Sequence, residues 1–197
     1  MSFRKEFKIR LSPYDSLRLK SQLIEKGMKD LHPPREICSI YFDTKTFDMF
    51  HDSEEGSLPR QKVRVRRYPN TSDKMQLEIK YSSIEGRYKT TDMLTNDEAQ
   101  KIIREGYTVP LYGHCDAVVE VRYNREYFEY ENVRITIDND ISYRSVESDM
   151  IIKEPEVVLE IKAPIECTDD YLHNLVNVPL SRFSKYNRAI LETGHKI

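Results

Sequence analysis

Gln61-Lys62-Val63-Arg64-Val65-Arg66-Arg67-Tyr68 is the stretch on which the fold of this chain turns. Side chains alternate across a β-strand, so Lys62, Arg64 and Arg66 line one face while Val63 and Val65 line the other. A strand that only covers a core presents varied polar groups outward. Three like charges at alternate positions repel one another unless something anionic lies opposite.

The same design recurs along the sequence. Arg4, Glu6, Lys8 and Arg10 share one parity, opposite Phe3, Phe7, Ile9 and Leu11. Leu77-Glu78-Ile79-Lys80 and Leu159-Glu160-Ile161-Lys162 are the same four letters, each with Glu and Lys on one face. Arg134, Thr136 and Asp138 alternate against Val133, Ile135 and Ile137. The aliphatic faces need a hydrophobic layer, and the charged faces need anions or ligands near their cations. Both demands are met if the sheet curls on itself, and the expectation is an α+β fold in which an antiparallel β-barrel forms a charged tunnel with peripheral helices.

The rest of the chain fits one domain spanning residues 1–197. Its length suits one substantial core, with 39% hydrophobic and 32% charged residues. A formal net charge of −2 argues against bulk nucleic-acid binding, yet it permits a cationic interior under an acidic exterior. Cys38, Cys115 and Cys167 have no metal-ligand spacing and read as free thiols in a reducing compartment. No run of about 18 apolar residues is present to span a bilayer, and residues 1–5 lead straight into a strand, so the expected location is cytoplasmic. The five histidines show no HxH or HExxH spacing and point to no zinc site.

Turn and cap signals order the elements. Ser12-Pro13 opens a helix that runs to Lys26 before Gly27, and His32-Pro33-Pro34 reads as a rigid connector to a strand over 37–43. Residues 46–56 read as a short helix and loop. The turn 69–73 makes a hairpin of the basic strand and the strand 75–81, and Gly86-Arg87-Tyr88-Lys89 begins another strand. Thr95-Asn96-Asp97-Glu98 is a capping box whose helix ends at Gly106. Strands follow over 117–127, 132–138 and 157–162, with a polar excursion over 140–155 that has room for a short pair. Thr168 and Ser184 open the last helices.

Inward parity collects Arg4, Lys8, Lys62, Arg64, Arg66, Lys80, Lys89, Arg134 and Lys162 against Glu6, Glu78, Asp138 and Glu160. Cations are in excess, and a polyanion is the natural partner for them. Arginine forks match phosphate oxygens and lysines add point charges. The carboxylates suit Mg²⁺ or Mn²⁺, hard ions that take one or two carboxylates plus phosphate oxygens.

The chain resembles the VTC (vacuolar transporter chaperone) polyphosphate polymerase domain, a branch of the triphosphate tunnel metalloenzymes. The matching pieces, in order, are Arg4-Lys5-Glu6-Phe7-Lys8, Tyr41-Phe42-Asp43-Thr44, Lys62-Val63-Arg64-Val65-Arg66, Leu77-Glu78-Ile79-Lys80, Tyr123-Asn124-Arg125, Arg134-Ile135-Thr136-Ile137-Asp138, Leu159-Glu160-Ile161-Lys162 and Ser184-Lys185-Tyr186. The resemblance implies that Lys8, Arg64, Arg66, Lys80, Lys89, Arg125, Arg134 and Lys185 bind the phosphates of a nucleoside triphosphate such as ATP, with Tyr123 and Ser184 as hydroxyl partners. Of these, Arg64, Arg66, Lys80, Arg125 and Lys185 are the expected catalytic set, and Arg4, Lys62 and Lys162 join the substrate-binding set. It also implies that Glu160 holds a divalent metal. Arg125, Tyr123, Ser184 and Lys185 rest on the resemblance alone, and Arg125 has the parity of Val119 and Val121, so a bend or bulge near Tyr123 is expected.

Related triphosphatases carry an ExExK strand, and Arg4 stands where the first of those glutamates would be. The balance shifts from activating water toward holding phosphate, which favours growth of inorganic polyphosphate over hydrolysis. The alternatives are a metal-dependent triphosphatase of the CYTH type and a non-catalytic polyphosphate or nucleotide binder. The sequence shows neither an SPX domain nor a membrane segment, and the expectation is that the chain acts alone or that a separate membrane protein supplies the membrane role.

Overall fold

Alternation of charged and aliphatic letters becomes strand throughout. The computed structural model describes residues 4–69, 72–178, 181–195 and 197, and the side chains of Arg4, Ser72 and Asp73 lie outside that description. The elements are β1 (Arg4–Leu11), α1 (Pro13–Glu25), β2 (Lys29–Asp43), α2 (Asp48–Glu55), β3 (Arg60–Tyr68), β4 (Ser72–Ser83), β5 (Gly86–Leu94), α3 (Asn96–Glu105), β6 (Tyr107–Val109), β7 (Gly113–Tyr130), β8 (Val133–Ser145), β9 (Ile152–Lys153), β10 (Val157–Pro164), α4 (Asp169–Val176) and α5 (Lys185–Glu192). Strand pairing follows the order β1-β10-β8-β7-β2-β3-β4-β5, with β6 on β7 and β9 on β8. Among the described residues no helix is long and apolar enough to cross a membrane.

The helices begin where short polar side chains satisfy open backbone N–H groups. Ser12, Thr168 and Ser184 accept from Asp15, Tyr171 and Asn187 N–H groups, and Thr95 and Glu98 form the full capping box of α3. α2 is different: Phe47 precedes it at φ 56° with no side-chain cap. The buried Asp43 carboxylate reaches over instead and accepts from the Met49 and Phe50 N–H groups at 2.9 and 3.0 Å.

Three segments differ from the sequence reading. β2 begins at Lys29, so His32-Pro33-Pro34 belong to a strand and not to a connector. Proline's fixed φ is compatible with extended backbone, and these exposed positions lie where a strand tolerates a missing N–H. β8 runs through Asn139 and Asp140 to Ser145, because Ile141, Tyr143 and Ser145 continue a buried alternation beyond two turn-like letters. The short pair expected after it is β9 on β8. β6 was not legible, being three residues paired with Gly113, His114 and Cys115. Of the turn expected over 69–73, Asn70 and Thr71 lie outside the described residues, while β3 and β4 pair antiparallel as a hairpin should.

The chain packs as two compact units. The first comprises residues 1–35, 123–141 and 153–183. There Ile9 and Leu11 of β1, Ile135 and Ile137 of β8 and Leu159 and Ile161 of β10 pack with Leu19 and Leu23 of α1 and Leu172 and Leu175 of α4. The second comprises residues 36–122, 142–152 and 184–197. There Phe42, Val63, Val65, Leu77 and Ile79 pack with Met49 of α2, Ala99 of α3, and Val109 and Cys115. Each aliphatic face takes one side of its strands and leaves the other to the charged letters.

Candidate functional site: two charged sheet faces

Register fixes which charges meet. In the second unit Lys62 pairs with Lys80 and Lys80 with Lys89, while Arg64 pairs with Tyr41 and Glu78, and Arg66 with Ser39 and Gln76. Five expected site residues, Lys62, Arg64, Arg66, Lys80 and Lys89, thus share one face with Glu78. Glu78 is 2% exposed. It accepts from Arg64 Nε and Lys89 Nζ, both at 2.6 Å, with Arg66 Nη1 at 3.7 Å. Burial alone would disfavour its charge, but the guanidiniums of Arg64 and Arg66 and the Lys89 ammonium outweigh that and pull its pKa down to about 2. The face keeps its carboxylate ionised and its arginines in place.

Tyr41 extends this row. Its hydroxyl accepts from Arg64 Nη1 at 2.9 Å and its ring stacks on Tyr186 with centroids 5.2 Å apart. Burial opposes ionisation of the phenol, yet Arg64, Arg66 and Lys185 prevail and its pKa is lowered. Tyr186 is the opposite case: burial and Asp43, to which its hydroxyl donates, raise its pKa well above the ordinary value. Lys62 is held at the start of α5, donating to Ser184 Oγ at 2.8 Å and Asn187 Oδ1 at 2.9 Å with its ammonium over the Tyr186 ring. Ser184 and Lys185 therefore belong to the neighbourhood of Lys62 and Tyr41, as the cap and first residue of one helix.

In the first unit Lys8 pairs with Glu160 and Glu160 with Thr136, while Glu6 pairs with Lys162 and Lys162 with Arg134. Here the carboxylates are more numerous. Lys162 Nζ lies 2.9 Å from Glu160 Oε1, and Lys8 Nζ lies 3.5 Å from Glu6 Oε1 while donating to the Phe183 carbonyl at 3.1 Å. Arg125 forms a fork to Asp138, with Nε and Nη2 at 2.5 and 2.7 Å, and sits over the Tyr123 ring. Its Nη2 is 3.9 Å from Glu160. Burial disfavours the Glu160 charge, but Lys162, Lys8 and Arg125 overcome it and hold the carboxyl well below the usual range. β7 carries Tyr123 and Arg125 without a break in the strand from Gly113 to Tyr130.

The expected site residues fall into these two sets, with Arg134 exposed and the Arg4 side chain outside the described residues. The expected site residues do not include Tyr41, although it has the parity of Ser39 and Asp43 and its register partner is Arg64. They do not include Asn187 either, and a helical position that gathers Lys62, Ser53 and Ser184 leaves no strand parity to read.

Among the described residues no group of three or more His, Cys, Asp or Glu side chains could hold a metal. The residues do fit the looser mode of a hard ion that shares one carboxylate with phosphate oxygens. Glu160 is ionised, and the buried Thr136 opposite it has an Oγ1 with no hydrogen-bond partner. The ion would supply charge neutralisation to phosphate oxygens there.

Comparison with known proteins bears on the family and the fold. The VTC domain family model matches residues 3–193, and the chain belongs to that family. Among solved structures the chain is similar to a Bacillus halodurans protein described as a candidate adenylate cyclase, with 13% identity, TM-score 0.64, and coverage of 99% of this chain and 98% of that one. It is similar also to a conserved hypothetical protein of Pyrococcus furiosus, with 12% identity, TM-score 0.60 and coverage of 93% and 99%, and to a protein of Pyrococcus horikoshii, with 16%, 0.54, 91% and 94%. No curated protein matches the chain. Family and fold together place the chain in the α+β triphosphate tunnel class expected from its sequence.

Proposed function

We propose that the protein transfers phosphoryl groups from a nucleoside triphosphate, ATP in the simplest case, to a growing inorganic polyphosphate chain. The observation that carries the reading is the face of β3, β4 and β5, where Lys62, Arg64, Arg66, Lys80 and Lys89 lie with Glu78, whose carboxylate pairs with Arg64, Arg66 and Lys89. Such a surplus of positioned cations suits consecutive phosphates. In the transfer, a terminal oxygen of the polymer attacks the γ-phosphorus, the bond to the β-γ bridging oxygen breaks, and the nucleoside diphosphate leaves. Arg64 and Arg66, fixed by Glu78, Tyr41 and Ser39, bind phosphate oxygens and stabilise charge on the transferred group. Lys80, Lys89 and Lys185 add charge around them, and Lys62 and Ser184 hold the row to α5. In the first unit Lys8, Arg125, Arg134 and Lys162 are the phosphate-binding cations, with Tyr123 supporting Arg125 and Glu160 offering the carboxylate for Mn²⁺ or Mg²⁺. We place the activity in the cytoplasm, where the three free cysteines stay reduced, with any membrane role left to a separate protein.

The test is incubation of purified protein with ATP and Mn²⁺ or Mg²⁺, separating polymer from free phosphate on a gel. Polymer with matching diphosphate is the expected product. Free phosphate without polymer would replace this reading with the triphosphatase one, and ATP held without turnover would leave a binding module.

A further inference from the structure

We infer that Thr136 supplies a second protein oxygen, beside Glu160, to the divalent ion that accompanies the phosphates. The inference rests on the reading of Glu160 as the metal carboxylate. Thr136 is 4% exposed and its Oγ1 has no hydrogen-bond partner. Buried hydroxyls are nearly always paired, so an unpaired one asks for a ligand. The register puts Thr136 directly opposite Glu160, on the face that also carries Lys8, Arg134, Asp138 and Lys162.

The hydroxyl is not explained by shape. A β-branched side chain suits this strand, but valine has nearly the same outline without the oxygen. The face accepts such a residue, since Val158, opposite Asp138 on the same side of the sheet, is fully buried. Nor is the hydroxyl spent on Glu160, whose Oε1 takes the Lys162 ammonium.

Charge explains it better. Among the described residues there is no carboxylate cluster to hold an ion alone, so the ion must complete its shell with phosphate oxygens and water. A further carboxylate would repel those phosphates. A neutral hydroxyl adds a hard oxygen donor without adding negative charge, which is what an ion shared with a polyanion requires.

The experiment measures Mn²⁺ binding by the electron paramagnetic resonance signal of free Mn²⁺, with full-length protein and inorganic tripolyphosphate. It compares wild type, Thr136→Val, Thr136→Ser and Glu160→Gln, and records the melting temperature of each without metal. Thr136→Val is expected to melt at or above the wild-type temperature, because an unpartnered hydroxyl is gone, and to bind Mn²⁺ about tenfold or more weakly. Thr136→Ser is expected to bind as wild type does. Unchanged Mn²⁺ affinity in Thr136→Val, while Glu160→Gln loses it, overturns the inference and spares Glu160. If Thr136→Val melts lower and also binds weakly, wild-type affinity in Thr136→Ser supports the inference and weak binding there overturns it. Equal absence of Mn²⁺ binding in all four proteins overturns the Glu160 reading itself, and this inference with it.

Discussion

Glu78 sets the behaviour of the residues around it. Three cations converge on one buried carboxylate, so Arg64 and Arg66 are held in place by the protein itself. Arg64→Ala or Arg66→Ala should each remove a charge-assisted contact worth about 1.5–3 kcal/mol and weaken tripolyphosphate binding accordingly, as calorimetry would show. Equal affinity in both variants would put the row outside the site. The pH dependence follows from the folded pKa of Glu78, about 2, lying below the ordinary glutamate value of 4.5. A carboxylate depressed in this way contributes stability that is fully present above the unfolded pKa and is lost as pH falls through the folded one. Melting temperature should therefore drop between pH 4.5 and pH 2, and Glu78→Gln, less stable at neutral pH, should show a shallower drop over that interval; parallel curves would refute the assignment. At this scale the sequence was legible wherever strand parity spoke. Lys62, Arg64, Arg66 and Glu78 could be read from alternate letters, whereas Arg125 and Lys185 could not, because one shares parity with buried valines and the other begins a helix.

Elements were legible through their ends more than through their middles. Short polar caps announced α1, α3, α4 and α5, and α2 falls within the short helix and loop read over 46–56 although its cap comes from Asp43 and not from the residue before it, whereas two prolines concealed the first part of β2. The start of α5 joins this level to the site. Ser184 Oγ donates to Asn187 Oδ1 at 2.7 Å and accepts from the Asn187 N–H at 3.3 Å, and Asn187 Oδ1 also receives Ser53 Oγ and Lys62 Nζ. Asn187 is 3% exposed, so its loss cannot be made good by solvent. Asn187→Leu should lower stability by about 1–3 kcal/mol through the donors it leaves behind. It should also weaken phosphate binding by loosening Lys62, raising KM more than it lowers kcat. Ser184→Asp offers the contrasting result, since an aspartate still caps the helix but its charge competes with phosphate for Lys62. The expected pairing is near-normal melting with weakened tripolyphosphate binding, and a variant that melts normally and binds normally would show that α5 takes no part in holding phosphate.

For the molecule as a whole, a net charge of −2 means that the attraction proposed for polyanions is a property of faces and not of the total. Charges farther apart than the Debye length, about 10 Å at 0.1 M salt, are largely screened, so binding must depend on local cations and weaken as salt rises. On the proposed function, that local balance also bears on the product. β1 places Arg4 opposite Pro164 in register, on the parity of Glu6 and Lys8, the position at which the sequence resemblance implies a carboxylate in related triphosphatases. An arginine neither ligates a metal nor takes a proton from water, so on the proposed function this position favours phosphate over hydrolysis. Arg4→Glu should therefore move the products of ATP turnover from polymer toward free phosphate, with the sum of the two read from one labelled reaction. Arg4→Ala should slow polymer growth without gaining phosphate release, since it loses the cation and adds no carboxylate. Should Arg4→Glu make polymer and phosphate in the wild-type ratio, residue 4 does not choose between water and the polymer end, and the choice must be sought among the carboxylates Glu6, Asp138 and Glu160.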